Sequence, residues 1–232
     1  MKSLSILVPA YNEEAYIEKL LLELVDLDLS LYVASFDICV IDDASTDSTT
    51  EIARKIAKKT DTIRVIRQKK NQGKGAAIRT GIAHTQGEFI IIQDADNELS
   101  PQDIPSLLKK QAKTNAEFIS GSRFLSQAIT IGGMRTLSNK VFSWITSLLI
   151  GGKISDMACG YKLFSRKLLE KFTLAEDRFG FEAELVMKAV KKAKTKIIEV
   201  PVSYHPRTEA QGKKIRKIDG VKILWTLLKN SI

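Results

Sequence analysis

Cysteine and long apolar segments are both scarce in this chain of 232 residues. Its two cysteines, Cys39 and Cys159, lie far apart, which argues against a disulfide framework and is typical of a reducing compartment. The longest segment without a charged residue, 141–152, is well short of the roughly 20 residues that span a bilayer, so we expect no transmembrane helix. The chain enters a predicted strand within a few residues of Met1, so we expect no signal peptide.

Common nucleotide-binding and catalytic signatures are also missing. No GxGxxG follows the first predicted strand, which argues against a dinucleotide-binding domain. The Gly73-Lys-Gly75 turn lacks the GxxxxGK[ST] spacing of a P-loop. The chain has two histidines, and we interpret both as structural or surface residues, because His84 lies in a predicted helix and His205 stands beside a proline.

Positive charge, in contrast, is abundant, with 36 Lys and Arg against 27 Asp and Glu and a net charge of +9. This excess predicts a polyanionic partner: nucleic acid, a phosphorylated substrate or an anionic membrane. A nucleic-acid-binding face would need clustered basic residues with aromatic stacking residues among them. Here the basic residues are spread along the chain and the predicted strand ends are acidic. We therefore expect no nucleic acid partner.

Short apolar segments alternate with segments of helical spacing. The predicted strands are brief and rich in β-branched residues, and they cover 4–8, 36–41, 62–66, 89–92, 117–120 and 197–202. Strands that alternate with helices predict an α/β fold with a mostly parallel sheet flanked by helices. The length favours a single domain, which we assign to residues 1–206, followed by a basic amphipathic tail over 207–232.

The segment Asp94-Ala-Asp96 directly follows the predicted strand 89–92. Ligands of open α/β sheets bind beyond the carboxyl ends of the strands, which is where these two aspartates fall. Two carboxylates this close suit a hard cation such as Mg²⁺ or Mn²⁺, and without one their crowding would raise a carboxyl pKa. An ordinary polar loop after the strand explains the same three residues equally well. Only the other motifs of the chain can distinguish such a loop from a metal site.

The other predicted strand ends carry polar residues too. They are Tyr11, Asn12 and Glu13 after the first strand, Asp42 and Asp43 after the second, and Arg123 after the fifth. Lys74, between two glycines, suits a phosphate, although by itself it is better explained as a solvated lysine in a turn. Together these residues predict one cleft that holds a nucleoside diphosphate through a metal ion.

Two groups of motifs carry a family resemblance. The first comprises Pro9-Ala-Tyr-Asn-Glu13, Asp42-Asp43, Gly73-Lys-Gly75, Asp94-Ala-Asp96 and Gly121-Ser-Arg123. In this order and spacing they resemble family 2 glycosyltransferases of the GT-A (Rossmann-like) fold. The second group comprises Asp156-x-x-Cys-Gly-Tyr-Lys162, 178–184 and Glu199-Val-Pro-Val202. These motifs resemble the polyprenyl-phosphate branch, which contains dolichyl-phosphate mannose synthases and dolichyl-phosphate glucosyltransferases, and the resemblance spans about residues 3–220.

The resemblance implies a metal-dependent, inverting transfer of a hexose from a nucleotide-diphosphate sugar, of the GDP-mannose or UDP-glucose class, to a polyprenyl or dolichyl phosphate. It assigns donor binding to Pro9, Ala10, Tyr11, Glu13, Asp42, Asp43, Lys74, Asp94, Ala95 and Asp96. It assigns the Mg²⁺ or Mn²⁺ ion to Asp94, Asp96 and Glu98, the last standing where relatives often have Gln.

On the acceptor side, the resemblance assigns donor or acceptor phosphates to Arg123, Arg135, Arg207 and Lys213. The residues that it implies for catalysis are Asp96, Arg123 and Asp156. Asp156 would orient the acceptor or act as a base, and a loop carboxylate that caps a turn is an open alternative.

Two segments are relevant to the question of membrane association. The basic tail with its final amphipathic helix predicts peripheral association with an anionic membrane at its cytoplasmic face, or else a charged tail that packs one helix on the domain. The stripe of apolar residues over 137–149 is interpreted as core rather than as a membrane contact. Between them, 126–133 contains two adjacent glycines and is predicted to be a mobile loop.

Two further functions stay open. The chain could act on a glycan or other soluble acceptor. It could also be a donor-binding subunit that needs a membrane partner subunit, because many relatives carry C-terminal transmembrane helices and we expect none here.

Overall fold

The computed structural model of the chain describes residues 2–126, 134–207 and 217–231, without the side chains of 134, 135 and 217–219. Nearly all of the predicted loop 126–133 therefore lies outside the described residues, as do Lys213 and the side chain of Arg135. Within the described part of the chain, no helix is both long and apolar enough to cross a bilayer.

The described strands form one seven-stranded sheet. They are β1 (Lys2–Ala10), β2 (Val33–Asp42), β3 (Ile63–Arg67), β4 (Phe89–Ile92), β5 (Phe118–Ser122), β6 (Lys162–Ser165) and β7 (Ile198–Pro201). Their order in space is β3-β2-β1-β4-β6-β5-β7, and only β6 pairs in antiparallel fashion with its neighbours. The prediction of a mostly parallel sheet is confirmed.

Helices cover both faces of this sheet. In the described residues they are α1 (Ile17–Val25), α2 (Thr49–Ala57), α3 (Lys74–His84), α4 (Ile104–Thr114), α5 (Met134–Ile150), α6 (Arg166–Leu169), α7 (Phe181–Lys191) and α8 (Lys217–Lys229). Consecutive side chains of a strand point to opposite faces, so Ile6 packs into one core and Leu7 into the other. Helices on both faces explain why the central strands are apolar without alternation.

The strand register brings the polar loops together. In β1, Ala10 is level with Asp42 of β2, and Leu7 is level with Ile92 of β4. The loops that follow these three parallel strands therefore leave the sheet along the same edge, as the sequence predicts.

Helices α5 and α8 each expose several large apolar side chains to solvent. The expectation that the 137–149 stripe is core holds for Ile145 and Leu149, which pack against the core that contains Leu7. It is wrong for the remaining members of the stripe, which are exposed: Leu137, Val141, Trp144 and Leu148. Helix α8 inserts Leu227 into the same core yet exposes Val221, Trp225 and Leu228. It contacts both α7 and α5.

Candidate active site

The loops after β1 and β2 are tied to each other. The backbone N–H of Glu13 donates to Thr49 Oγ1 at 2.8 Å, and that of Asn12 donates to Ser45 Oγ at 2.9 Å. In return, Asn12 Oδ1 accepts the backbone N–H of Thr46 at 2.8 Å. The Pro9-Ala-Tyr-Asn-Glu13 segment is thus held against the loop that begins with Asp42.

The two acids after β2 both hold loops in place. Asp42 is fully buried; it accepts a hydrogen bond from Thr50 Oγ1 at 2.7 Å and lies 3.4 Å from Arg67 Nε. The oxygens of Asp43 accept the backbone N–H groups of Gln72, at 2.8 Å, and Gly73, at 2.7 Å. Burial raises the pKa of Asp43, although these two hydrogen bonds oppose the shift. Asp43 therefore fixes the glycine turn that presents Lys74.

Lys74 is a bridge between two carboxylates. Its Nζ lies 2.6 Å from Asp94 Oδ1 and 2.6 Å from Glu182 Oε1, and 16% of its side chain is exposed. Burial opposes the positive charge, but the two carboxylates outweigh it and raise the pKa of Lys74. The interpretation of Lys74 as a solvated lysine in a turn is therefore wrong. Two carboxylates hold its ammonium, and one of them, Glu182, is distant in sequence.

The second aspartate of the turn, Asp96, faces a different cation. Its Oδ2 lies 3.3 Å from Arg207 Nη2, and its Oδ1 accepts the backbone N–H of Glu98 at 3.1 Å. Burial, and next the negative charges of Asp94 and Glu98, raise the pKa of Asp96 to about 6. Each predicted metal-binding aspartate is thus paired with a basic side chain from another part of the fold.

Residues 204–207 lie across this turn. Arg207 Nη1 donates to Glu13 Oε2 at 2.8 Å, and its guanidinium lies 5.0 Å from the ring of Tyr16. Glu98 accepts the backbone N–H of Arg207 and the hydroxyl of Tyr204, both at 2.9 Å. The predicted three-ligand metal site of Asp94, Asp96 and Glu98 is therefore not formed. Within the described residues, no group of three Asp, Glu, His or Cys side chains is arranged to hold a metal ion.

Arg123 and Asp156, both predicted to be functional, form a buried pair. Arg123 Nε and Nη2 donate to the two oxygens of Asp156 at 2.7 and 2.8 Å, and the backbone N–H of Arg123 donates at 3.0 Å. Glu199 in turn accepts the backbone N–H of Asp156 at 3.0 Å. The guanidinium lies 5.0 Å from the ring of Tyr204. Both oxygens of Asp156 are thus occupied with Arg123, which fits positioning better than proton transfer.

The segment after Asp156 is fixed by buried polar contacts. Tyr161 donates to Gln93 Oε1 and to the carbonyl of Ser100, the latter at 2.7 Å. Lys162 Nζ donates to the carbonyl of Cys159 at 2.6 Å and to Ser120 Oγ at 3.0 Å. Burial lowers the pKa of Lys162. The Asp156–Lys162 motif, which resembles the polyprenyl-phosphate branch, therefore packs beside the turn that contains Asp94 and Asp96.

The chain resembles known proteins in sequence. A sequence model of the family "Glycosyl transferase family 2" matches residues 5–173. The dolichyl-phosphate beta-glucosyltransferase of Saccharomyces cerevisiae is 28% identical, with 97% of this chain and 73% of that protein covered. The Homo sapiens dolichyl-phosphate beta-glucosyltransferase is 34% identical, with 92% of this chain and 70% of that protein covered.

Among solved structures, glucosyl-3-phosphoglycerate synthase from Mycobacterium tuberculosis, crystallised with Mn²⁺, UDP and phosphoglyceric acid, has a TM-score of 0.75. It is 22% identical, and the match covers 99% of this chain and 78% of that one. The likeness confirms the predicted GT-A fold. The family match covers most of the chain, and the relatives match over more than two thirds of their own length. The chain belongs to glycosyltransferase family 2.

Proposed function

We propose that the chain transfers glucose from a nucleotide-diphosphate sugar, with UDP-glucose as the first donor to test, to a polyprenyl phosphate of the dolichyl-phosphate class. The observation that carries the proposal is the meeting of Asp94, Asp96, Lys74 and Arg207 at one edge of the sheet in a family 2 glycosyltransferase. The names of the yeast and human relatives support glucose as the sugar and dolichyl phosphate as the acceptor.

The proposed cofactor is Mg²⁺ or Mn²⁺, held by Asp94 and Asp96. Two carboxylates two positions apart in sequence are hard oxygen donors of the kind that these ions prefer, and each is balanced by a basic side chain that a metal ion can replace. Glu98 would join them after giving up its contacts with Tyr204 and Arg207. When bound, the ion would neutralise charge on the departing diphosphate.

The donor nucleotide is proposed to lie along the loops after β1 and β2. Pro9, Ala10, Tyr11 and Ala95 would line the base and ribose, whereas Asp42, Asp43 and Glu13 hold these loops through the contacts described above. The ammonium of Lys74 is placed at the aspartate turn, where the diphosphate of such a donor would lie.

The proposed reaction is a single displacement at the anomeric carbon. An oxygen of the acceptor phosphate forms a bond to that carbon as its bond to the donor diphosphate breaks, and the electron pair leaves with the diphosphate. A phosphate monoester has a second pKa of about 6 and is largely ionised at pH 7, so the acceptor oxygen needs no general base. This agrees with an Asp156 whose two oxygens hold Arg123.

Arg123 and Arg207 are the proposed contacts for the acceptor and donor phosphates. Arg123 is locked in orientation by Asp156, which pre-organises its guanidinium. The Nε of Arg207 is buried and lacks a hydrogen-bond partner among the described residues, an arrangement that a phosphate oxygen would satisfy. Arg135 and Lys213 remain predictions for the same role.

We also propose that α5 and α8 contact the membrane that carries the acceptor, at its cytoplasmic face as predicted. The two helices touch each other, and each exposes an apolar surface with a tryptophan, Trp144 at 63% and Trp225 at 67% exposure. Tryptophan is favoured at the interface between lipid and water. Helix α5 is also joined to the Asp156 loop, since Ser143 Oγ accepts the backbone N–H of Met157 at 3.1 Å.

The test is a transfer assay with radiolabelled UDP-glucose or GDP-mannose, Mn²⁺ and dolichyl phosphate in anionic vesicles, extracted into organic solvent. We expect label in the lipid fraction with UDP-glucose and Mn²⁺, and none with the Asp96→Asn variant. Label that appears only on a soluble acceptor would overturn the proposed acceptor. Metal-dependent donor binding without any transfer, until a membrane protein is added, would instead identify a donor-binding subunit.

A further inference from the structure

We propose that Glu182 is a positioning residue for the metal site: it holds the ammonium of Lys74 when Asp94 turns to the metal-bound donor. The inference rests on the proposed function, because it needs a divalent cation at Asp94 and Asp96. It adds a residue from α7 to a site that the sequence motifs place in the turn after β4 and at the start of α3.

The three side chains form a symmetrical bridge. Lys74 Nζ lies 2.6 Å from one oxygen of Asp94 and 2.6 Å from one oxygen of Glu182. All three side chains are mostly buried, with exposures of 16, 23 and 10% for Lys74, Asp94 and Glu182. One positive charge is thus shared equally between two carboxylates, only one of which is a predicted metal ligand.

Residues 176–177, which lie shortly before Glu182 in the chain, are held against the start of α3. The backbone N–H of Ala76 donates to the carbonyl of Asp177 at 3.0 Å, and Arg79 Nη1 donates to the carbonyl of Glu176 at 2.6 Å. A β-carbon on Gly75 would overlap the carbonyl oxygen of Glu176, which shows how closely the two segments approach. The segment that leads into α7 is therefore held against the start of α3, which keeps the Glu182 carboxylate within reach of the Lys74 ammonium.

A divalent cation at Asp94 changes the balance within this bridge. Such a cation would repel the ammonium and compete with it for the carboxylate of Asp94. With Glu182 present, the ammonium keeps one strong ionic partner when it leaves Asp94. Without Glu182, Asp94 is the sole carboxylate in the bridge, so metal binding has to leave a buried ammonium without its countercharge, which is unfavourable.

The experiment is a double-mutant cycle that measures Mn²⁺ affinity without turnover. Glu182→Gln, Lys74→Met and the double variant are made in the full chain, and Mn²⁺ binding in the presence of UDP is measured by titration calorimetry and by the electron paramagnetic resonance signal of free Mn²⁺. We expect Glu182→Gln to weaken Mn²⁺ binding about tenfold, the size of one charge-assisted contact. In the Lys74→Met background, the same change should alter the affinity by less than about twofold.

Two further variants separate positioning from stability. Glu184→Gln is the matched control, because Glu184 lies on the same helix but accepts the backbone N–H groups of Ala175 and Glu176. It should lower the melting temperature and leave Mn²⁺ affinity unchanged. Glu182→Asp keeps the charge and should recover part of the affinity lost in Glu182→Gln.

The outcomes are distinguishable. Equal weakening by Glu182→Gln in both backgrounds would indicate a general effect of removing a negative charge, and would overturn the coupling to Lys74. Unchanged Mn²⁺ affinity in a folded Glu182→Gln variant would overturn the inference while leaving the proposed function intact. A wild-type chain that binds UDP but no Mn²⁺ would overturn the proposed cofactor and this inference together.

Discussion

The carboxylate of Asp94 fills the space in which a β-carbon on residue 160 would stand, so Gly160 is the residue that lets the aspartate turn lie against the Cys159-Gly-Tyr segment. The two residues belong to motifs that are separated by more than sixty positions in sequence. One motif is common to the family resemblance, whereas the other marks the polyprenyl-phosphate branch. Their contact joins the proposed donor site to the acceptor side of the cleft.

Gly160→Ala should therefore damage the donor site. The added methyl group would overlap Asp94 Oδ2, so the carboxylate has to move away from its present position. We expect a loss of about 1–3 kcal/mol in the free energy of unfolding and weaker Mn²⁺-dependent UDP binding by calorimetry. Gly152→Ala is the control, because a β-carbon there meets nothing closer than 3.8 Å. Equal behaviour of the two variants would show that Asp94 adjusts freely.

Arg207→Ala should affect metal binding and turnover in opposite directions. The guanidinium lies 3.3 Å from Asp96 Oδ2, so it competes with a metal ion for that carboxylate. We expect Mn²⁺ alone to bind the variant a few-fold more tightly, whereas transfer falls because a proposed phosphate contact is lost. Arg64→Ala, which removes a contact with the carbonyl of His84 away from the cleft, should change neither. Weaker Mn²⁺ binding by Arg207→Ala would contradict the competition.

Asp96 should make the metal-free protein less stable as the pH rises from about 4 to about 6. The pKa of Asp96 in the folded chain is about 6, above its ordinary value of about 3.9 in an unfolded chain. Between these values the folded state binds more protons than the unfolded state, so the free energy of unfolding decreases with pH. Urea titrations with a chelator should show this slope reduced in Asp96→Asn. Parallel pH profiles for both proteins would show that Asp96 titrates normally.

The fold could be predicted from the sequence because its signals are local. Apolar β-branched segments such as 89–92 are buried on both faces, and a parallel sheet places their carboxyl ends together whatever lies between them. The same reasoning located the loops of the site. It also predicts that the polar residues after β1, β2 and β4 lie at one edge of the sheet, which the strand register confirms.

The partners of these residues could not be predicted, because they come from distant segments. The sequence suggests an acceptor contact, a base or a turn cap for Asp156, and only the folded chain places Arg123 against both of its oxygens. Likewise Glu182, which had no predicted role, meets Lys74 across more than a hundred residues. The signal that could have indicated Glu182 is the pair of acids, Glu182 and Glu184, in the first turn of a helix whose first seven residues are all buried.

Arg123→Met should destabilise the protein as well as slow the reaction. Removing one partner of a buried ion pair leaves the fully buried Asp156 without its countercharge, at a cost of about 3–5 kcal/mol. Adding Asp156→Asn removes the stranded charge, so the double variant should recover part of that loss. Chemical denaturation of the three variants measures both effects. A double variant less stable than Arg123→Met would contradict the assignment of Asp156 as the countercharge of Arg123.

Trp144→Ser with Trp225→Ser should reduce binding to anionic vesicles while sparing the donor site. Both side chains are largely exposed on helices that touch each other, and burial of large apolar side chains at a lipid interface is worth about 1.5–3 kcal/mol each. We expect co-sedimentation with anionic vesicles to weaken at least about tenfold, and wild-type binding to fall as salt screens the basic residues nearby. Leu31→Ser is the matched control, because Leu31 is 78% exposed and lies outside both helices. Mn²⁺-dependent UDP binding should be unchanged in every variant. If the double tryptophan variant sediments like the Leu31 variant, α5 and α8 are not the membrane contact, and a partner protein becomes the better explanation for their exposed apolar residues.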